Sequence, residues 1–276
     1  MASQPTPEQV IGGYQAAVAQ VRARVLSFAS TAWRAQGSYR DADIERLIAL
    51  IVPRVQAGQV QVATLTSAYL ASLLSLQTGA AVASVPVDRA EVLNGRGVPA
   101  EVVYARPATT VYTALSRGAS FADAVAQGLT RLESIAATDL QMAKVRQSRS
   151  SMRGRVERYR RVLTGNENCA LCALASTQRY WVRDLSPIHP GCDCGVVPLA
   201  PGTRPGQVID RAALDRVHEA VANELGVAYA DGRGVDYRKL VTVREHGEMG
   251  PVLTLTAHRF TDAKALNLGL EVPRAS

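Results

Sequence analysis

The four cysteines of this chain all fall between Cys169 and Cys194, and their spacing limits the chemistry open to them. Cys169-Ala-Leu-Cys172 is a C-x-x-C pair, in which two thiolates on one tight turn reach the same ion. His189-Pro-Gly-Cys192-Asp-Cys194 follows. If the run through Val196 and Val197 is a strand, Cys192 and Cys194 share a face, because side chains alternate along a strand. His189, on the Pro-Gly turn leading into that run, can swing its imidazole to the same face. Cys169, Cys172, His189, Cys192 and Cys194 are therefore five candidate ligands for a tetrahedral zinc site that takes four. Cysteine-rich ligation points to a closed, structural zinc, and the spacing leaves open which ligand is left out.

Other chemistries use the same residue types. Free cysteines pack as small apolar core residues. A thioredoxin-like redox pair uses C-x-x-C, but within a βαβ pattern that is missing here, and it leaves the second cluster unexplained. A cysteine protease would pair Cys169 or Cys172 with His189, yet no third group or oxyanion donor can be assigned. A catalytic zinc keeps an open position beside a general base, for which only Asp184 and Asp193 are near in sequence. Zinc deaminases need H-x-E before P-C-x-x-C, whereas Cys169 follows Asn168 and has no such partner upstream. His218 lies in a predicted helix near its apolar face, and His246 lacks the H-E-x-x-H of a metalloprotease. His258 has no recognisable partner, and Ser186 has no G-x-S-x-G around it.

The elements that must position these residues follow from composition and periodicity. A hydrophobic share of 47% with 20% charged residues is that of a globular chain, and 5% aromatics favours Ala-rich helices over an aromatic sandwich. Thr6-Pro7-Glu8-Gln9 predicts a capped helix start. Val10, Tyr14, Val18, Val21, Val25 and Phe28 continue it as one apolar stripe. Asp41 opens a second helix through Ile44, Leu47, Ile48 and Ile51, which Pro53 is expected to disturb. A third stripe runs through Leu65, Tyr69, Leu73 and Leu76. Gly95, Gly97, Pro99 and Pro107 make Val92–Pro107 an expected linker or irregular arm. Ser120-x-x-Asp123 starts a helix through Val125, Leu129, Leu132 and Leu140. No charged residue occurs between Arg54 and Asp88. Gln56, Gln59, Gln61, Thr64 and Thr66 nevertheless interrupt the apolar run, so a buried helix is expected there and no membrane span. The start, Met1-Ala2-Ser3-Gln4-Pro5, lacks the pattern of a secretion signal.

A net charge of +7 suits acidic surroundings. Lys144, Arg146, Arg149, Arg153, Arg155, Arg158, Arg160 and Arg161 form a basic tract, read as a helix with either a solvated face or an anion-binding surface. Arg153, Arg155, Arg158, Arg160 and Arg161 are the candidates for the latter. A last helix is predicted over Asp210–Leu225, with Leu214, Val217, Val221 and Leu225 on one face. After it comes an extended arm with one strand-like piece, Val252–Thr256. The expected fold is thus mainly α. A helical region (1–160) precedes a small zinc-stabilised α+β module (161–201), then a helix with an extended C-terminal arm (202–276).

The order of a helical region, Tyr159-Arg160-Arg161-Val162, Cys169-x-x-Cys172 and His189-Pro-Gly-Cys192-Asp-Cys194-Gly-Val-Val-Pro198 resembles the MuF-like minor head proteins of tailed bacteriophages. Val243-Arg-Glu-His246-Gly-Glu-Met-Gly250-Pro-Val-Leu253 is similar to the ending of such proteins from phages of actinobacterial hosts. The resemblance is specific over Arg160–Pro198 and architectural over the N-terminal half. It implies a minor capsid component that joins the head at the portal vertex during assembly in the host cytoplasm and stays inside the virion. Portal protein and the major capsid and scaffold proteins are the implied partners, with packaged DNA a further one through the basic tract. Close relatives are also labelled capsid maturation proteases, and that is the alternative expectation. The residues themselves offer no catalytic constellation for it.

Overall fold

A computed structural model describes residues 4–163, 170–188, 194–200, 208–212, 214–215, 241–246 and 250–255. The chain is mainly helical, as expected, with a small antiparallel sheet. It divides into two compact units, one made of residues 1–69 and 84–147, the other of 70–83 and 148–276.

In the first unit, α1 (Pro7–Arg34) begins with the anticipated capping box. Gln9 N donates to Thr6 Oγ1 at 3.3 Å, and Thr6 N donates to Gln9 Oε1 at 2.8 Å. Both bonds satisfy donors that a helix start otherwise leaves open. Tyr14, Val21 and Val25 of the predicted stripe are buried, and Trp33 extends it. The second and third predicted helices are one, α2 (Asp41–Thr78), running through Pro53. The proline costs the helix one hydrogen bond, to the carbonyl of Ala49. Ala49 and Pro53 both lie on the exposed face, where water can take up that carbonyl, while Ile51, Val52 and Val55 stay buried on the other side. Burial of the apolar face therefore outweighs the break.

The expected linker is also helical. Asp88 caps a short α3 (Arg89–Leu93), a turn with Gly97 at φ 64° follows, and α4 (Ala100–Ser116) buries Val103, Tyr104, Pro107 and Val111. Helix α5 (Phe121–Met152) starts where Ser120-x-x-Asp123 predicts, with Asp123 N donating to Ser120 Oγ at 3.1 Å. Its Leu132, Ile135, Ala136 and Leu140 join Val21, Val25, Trp33, Ile51 and Val111 in one apolar core.

The second unit opens with a correction to the basic tract. The helix does not carry on to Arg161. It ends at Met152 before Gly154 at φ 71°, a left-handed turn residue that closes helices. Arg158–Val162 is instead strand β1, with Tyr159 and Arg161 on its buried side. Next come α6 (Ala170–Ser176), β2 (Arg179–Trp181), a 3-10 turn at Val182–Asp184, and β3 (Gly195–Leu199). The strands form an antiparallel sheet in the order β2-β1-β3, with Tyr159 opposite both Tyr180 and Pro198. Of the predicted last helix, Asp210 leads into a helical turn that includes the buried Leu214; Val217, His218, Val221 and Leu225 lie outside the described residues. The arm holds two strands, not one: β4 (Val241–His246) pairs antiparallel with β5 (Gly250–Leu255). Among the described residues, no helix is long and apolar enough to cross a membrane.

Candidate metal centre

Two of the five predicted ligands, Cys172 and Cys194, are described, and they share one buried cluster. Cys172 sits on α6, a short helix whose last turn is closed by Thr177, with Thr177 Oγ1 donating to the Leu174 carbonyl at 2.7 Å. Cys194 immediately precedes β3, so the pairing of β3 with β1 sets its place. Cys172 is 2% exposed and Cys194 7%, and Ala175 and Ile188 complete the cluster, with Leu163 and Tyr180 packed against it. Both cysteines are free of disulfides. Cys169, His189 and Cys192 lie outside the described residues. With those three set aside, no group of three His, Cys, Asp or Glu suited to a metal occurs among the described residues.

The charged neighbour of this cluster is Arg161, 2% exposed on β1. Its Nη1 donates to Cys194 Sγ at 3.6 Å, and its Nη2 donates to the Ser186 carbonyl. The guanidinium carbon lies 5.8 Å from the ring centres of both Tyr159 and Tyr180. Burial pushes both phenols up from their ordinary range; Arg161 pulls each back, and Cys194 adds to the rise at both. Cys172 also raises Tyr180, so that phenol senses both cysteines. Arg161 appeared in the sequence as one cation of a tract. The signal that could have placed it here is the alternation from Tyr159, since residues two apart on a strand share a face.

The donor set fits a soft cation. Thiolates favour zinc over the hard cations that carboxylates hold, and two sulfurs from separate motifs reach one apolar cluster that excludes water. A buried guanidinium beside them suits the net negative charge that a cysteine-rich site keeps after binding zinc.

The rest of the basic tract is put to varied use. In the first unit Lys144 is buried, and Arg146 donates to the carbonyls of Glu91, at 2.8 Å, and Gly95. In the second unit Arg149 donates to the Leu185 carbonyl and Arg155 to that of Ala83, at 2.8 Å. Arg158 stacks 3.4 Å over the Trp181 ring. Arg153 is exposed and Arg160 half-buried. No family model, curated protein or solved structure matches the chain.

Proposed function

We propose that this chain is a MuF-like minor head protein of a tailed bacteriophage, in which a structural zinc stabilises the second unit and the helical region docks on portal or coat protein. The observation that carries the zinc part of this reading is the shared burial of Cys172 and Cys194, which come from the two halves of the motif. The phage assignment rests on the sequence resemblance around them. Zinc would be held by four of Cys169, Cys172, His189, Cys192 and Cys194. Bound there, it supplies folding free energy that a three-stranded sheet with a short helix cannot draw from so small a core. A thiolate committed to a closed site is a poor nucleophile, so the role is architectural.

The partners on this reading are the portal, major capsid and scaffold proteins. The location is the capsid interior near the portal vertex, reached from the host cytoplasm. The test is co-expression with those proteins, followed by mass analysis of the particles. The expected result is incorporation of the intact chain, untrimmed coat protein, and about one zinc per chain. Trimmed coat that becomes whole when Cys169 or Cys172 is changed to Ser would establish the capsid maturation protease instead. Particles lacking the chain altogether would reject the head-protein reading. Contact with packaged DNA through Arg153 and Arg160 would show as sequence-independent binding that weakens steeply with salt.

A further inference from the structure

We propose that Arg161 is the positioning residue of the zinc site, a role that rests on the zinc reading above. Its guanidinium grips two points of the chain at once: the Ser186 carbonyl with Nη2 and Cys194 Sγ with Nη1 at 3.6 Å. In sequence, those two points bracket His189 and Cys192. Ile188 and Cys194 pack in the same cluster as Cys172, so the ligand-bearing segment starts and ends against the helix that carries the first pair. One side chain therefore fixes both ends of that segment and donates directly to a ligand sulfur.

Three properties suit arginine to this task. The planar fork reaches two acceptors in fixed directions, which a lysine ammonium does not. Its charge persists at every pH the fold meets, so it offsets the excess negative charge of a cysteine-rich zinc site. The Tyr159 and Tyr180 rings, each 5.8 Å away, leave the guanidinium little freedom to turn from its acceptors. Partners that orient a ligand commonly govern metal affinity by about 10- to 100-fold.

The test compares the full chain with its Arg161→Met and Arg161→Lys variants. Zinc affinity is read by competition with a chromophoric chelator, and the thiolate-to-metal band is read after replacing zinc with cobalt. Arg161→Met is expected to lose about 10- to 100-fold in zinc affinity and to shift the cobalt band, because a donor to sulfur is gone. Arg161→Lys is expected to fall between, keeping the charge without the two-pronged hold. A residue that only filled space would alter unfolding and leave the band unmoved. Arg161→Met that folds with parental affinity and spectrum overturns the proposal. If Arg161→Met does not fold, Arg161→Lys decides: parental affinity and spectrum overturn it, and weakened affinity with a shifted band supports it. A parent chain that takes up no zinc sinks the metal reading itself, and this proposal with it.

Discussion

Asp139, in the middle of α5, ties three pieces of the first unit together from one carboxylate. Arg96 Nε lies 2.6 Å from its Oδ1, and the Tyr104 hydroxyl donates to Oδ2 at 2.8 Å. Arg96 comes from the α3–α4 connection and also donates to the Ile135 carbonyl at 3.3 Å. The two ionic side chains are only 7% and 10% exposed, so each charge depends on the other for compensation. Removing one partner of such a pair leaves a buried charge uncompensated. Asp139→Asn should therefore lose about 3–5 kcal/mol in urea unfolding, and Tyr104→Phe about 1.5–3 kcal/mol. An Asp139→Asn protein as stable as its parent would show the pair to be idle. Burial, then Asp139, pushes the Tyr104 phenol well above its ordinary 10.0, with Arg96 pulling the other way. The folded chain thus keeps this proton after the unfolded chain has lost it. The stability it contributes is whole below about pH 10 and declines as pH rises further. Tyr104→Phe should flatten that decline, read from unfolding midpoints between about pH 9 and about pH 11. Residue by residue, the candidate site was legible where spacing carries the chemistry, as at Cys172 and Cys194. Arg161 was not, because composition cannot distinguish a solvated guanidinium from one buried against a sulfur.

Helix α5 comes close to α1 and α4 at Gly128. A Cβ there would stand 2.5 Å from Trp33 Cζ2, 2.6 Å from Val111 Cγ2 and 3.0 Å from the Pro107 carbonyl oxygen. The last of these is backbone and cannot rotate away. Alanine is the better helix former by roughly 0.8–1.0 kcal/mol. Overpacking a filled core costs about 1–3 kcal/mol, so Gly128→Ala should destabilise on balance. Gly12, exposed on α1, has nothing within 4 Å of its added Cβ, and Gly12→Ala should stabilise by up to about 1 kcal/mol. Thermal unfolding that gave both substitutions the same sign would contradict the close approach at Gly128. The same packing explains which elements the sequence disclosed. Helix α1 was readable because its start is a local motif and its stripe is regular. Pro53 looked like a break and Pro107 like part of a linker. Local rules price a proline by its missing hydrogen bond, and they do not see Ile51, Val52, Tyr104 and Val111 buried around it. Strand β1 was misread as helix because Arg158-Tyr-Arg-Arg-Val162 shows no apolar alternation. Its inward positions are Tyr159 and Arg161, and only the Cys194 side of the fold makes an inward arginine tolerable.

At the scale of the whole molecule, the two units draw on different sources of stability. The first has a core spread over α1, α2, α4 and α5. The second has the small cluster around Cys172 and Cys194, which needs a metal to hold a sheet of three short strands together. The chain's two tryptophans fall one to each unit, so they can report on each separately. Trp33 is 1% exposed, and its Nε1 donates to the Val125 carbonyl at 3.2 Å. Trp181 lies on β2, flanked by Arg158 and by Arg183 at 4.9 Å. Zinc that binds only the folded state at about 100 times its dissociation constant adds about 2.7 kcal/mol. A chelator should remove that increment from the second unit alone. In a Trp181→Phe chain, the Trp33 transition in urea should hold its midpoint when zinc is stripped. In a Trp33→Phe chain, the Trp181 transition should move to lower urea, and added zinc should restore it. The unfolding of the whole chain then ceases to be two-state as zinc is withdrawn. If both tryptophans shift together, the metal supports the entire fold. If neither shifts, the cysteines are packed thiols and zinc has no part in holding the second unit together.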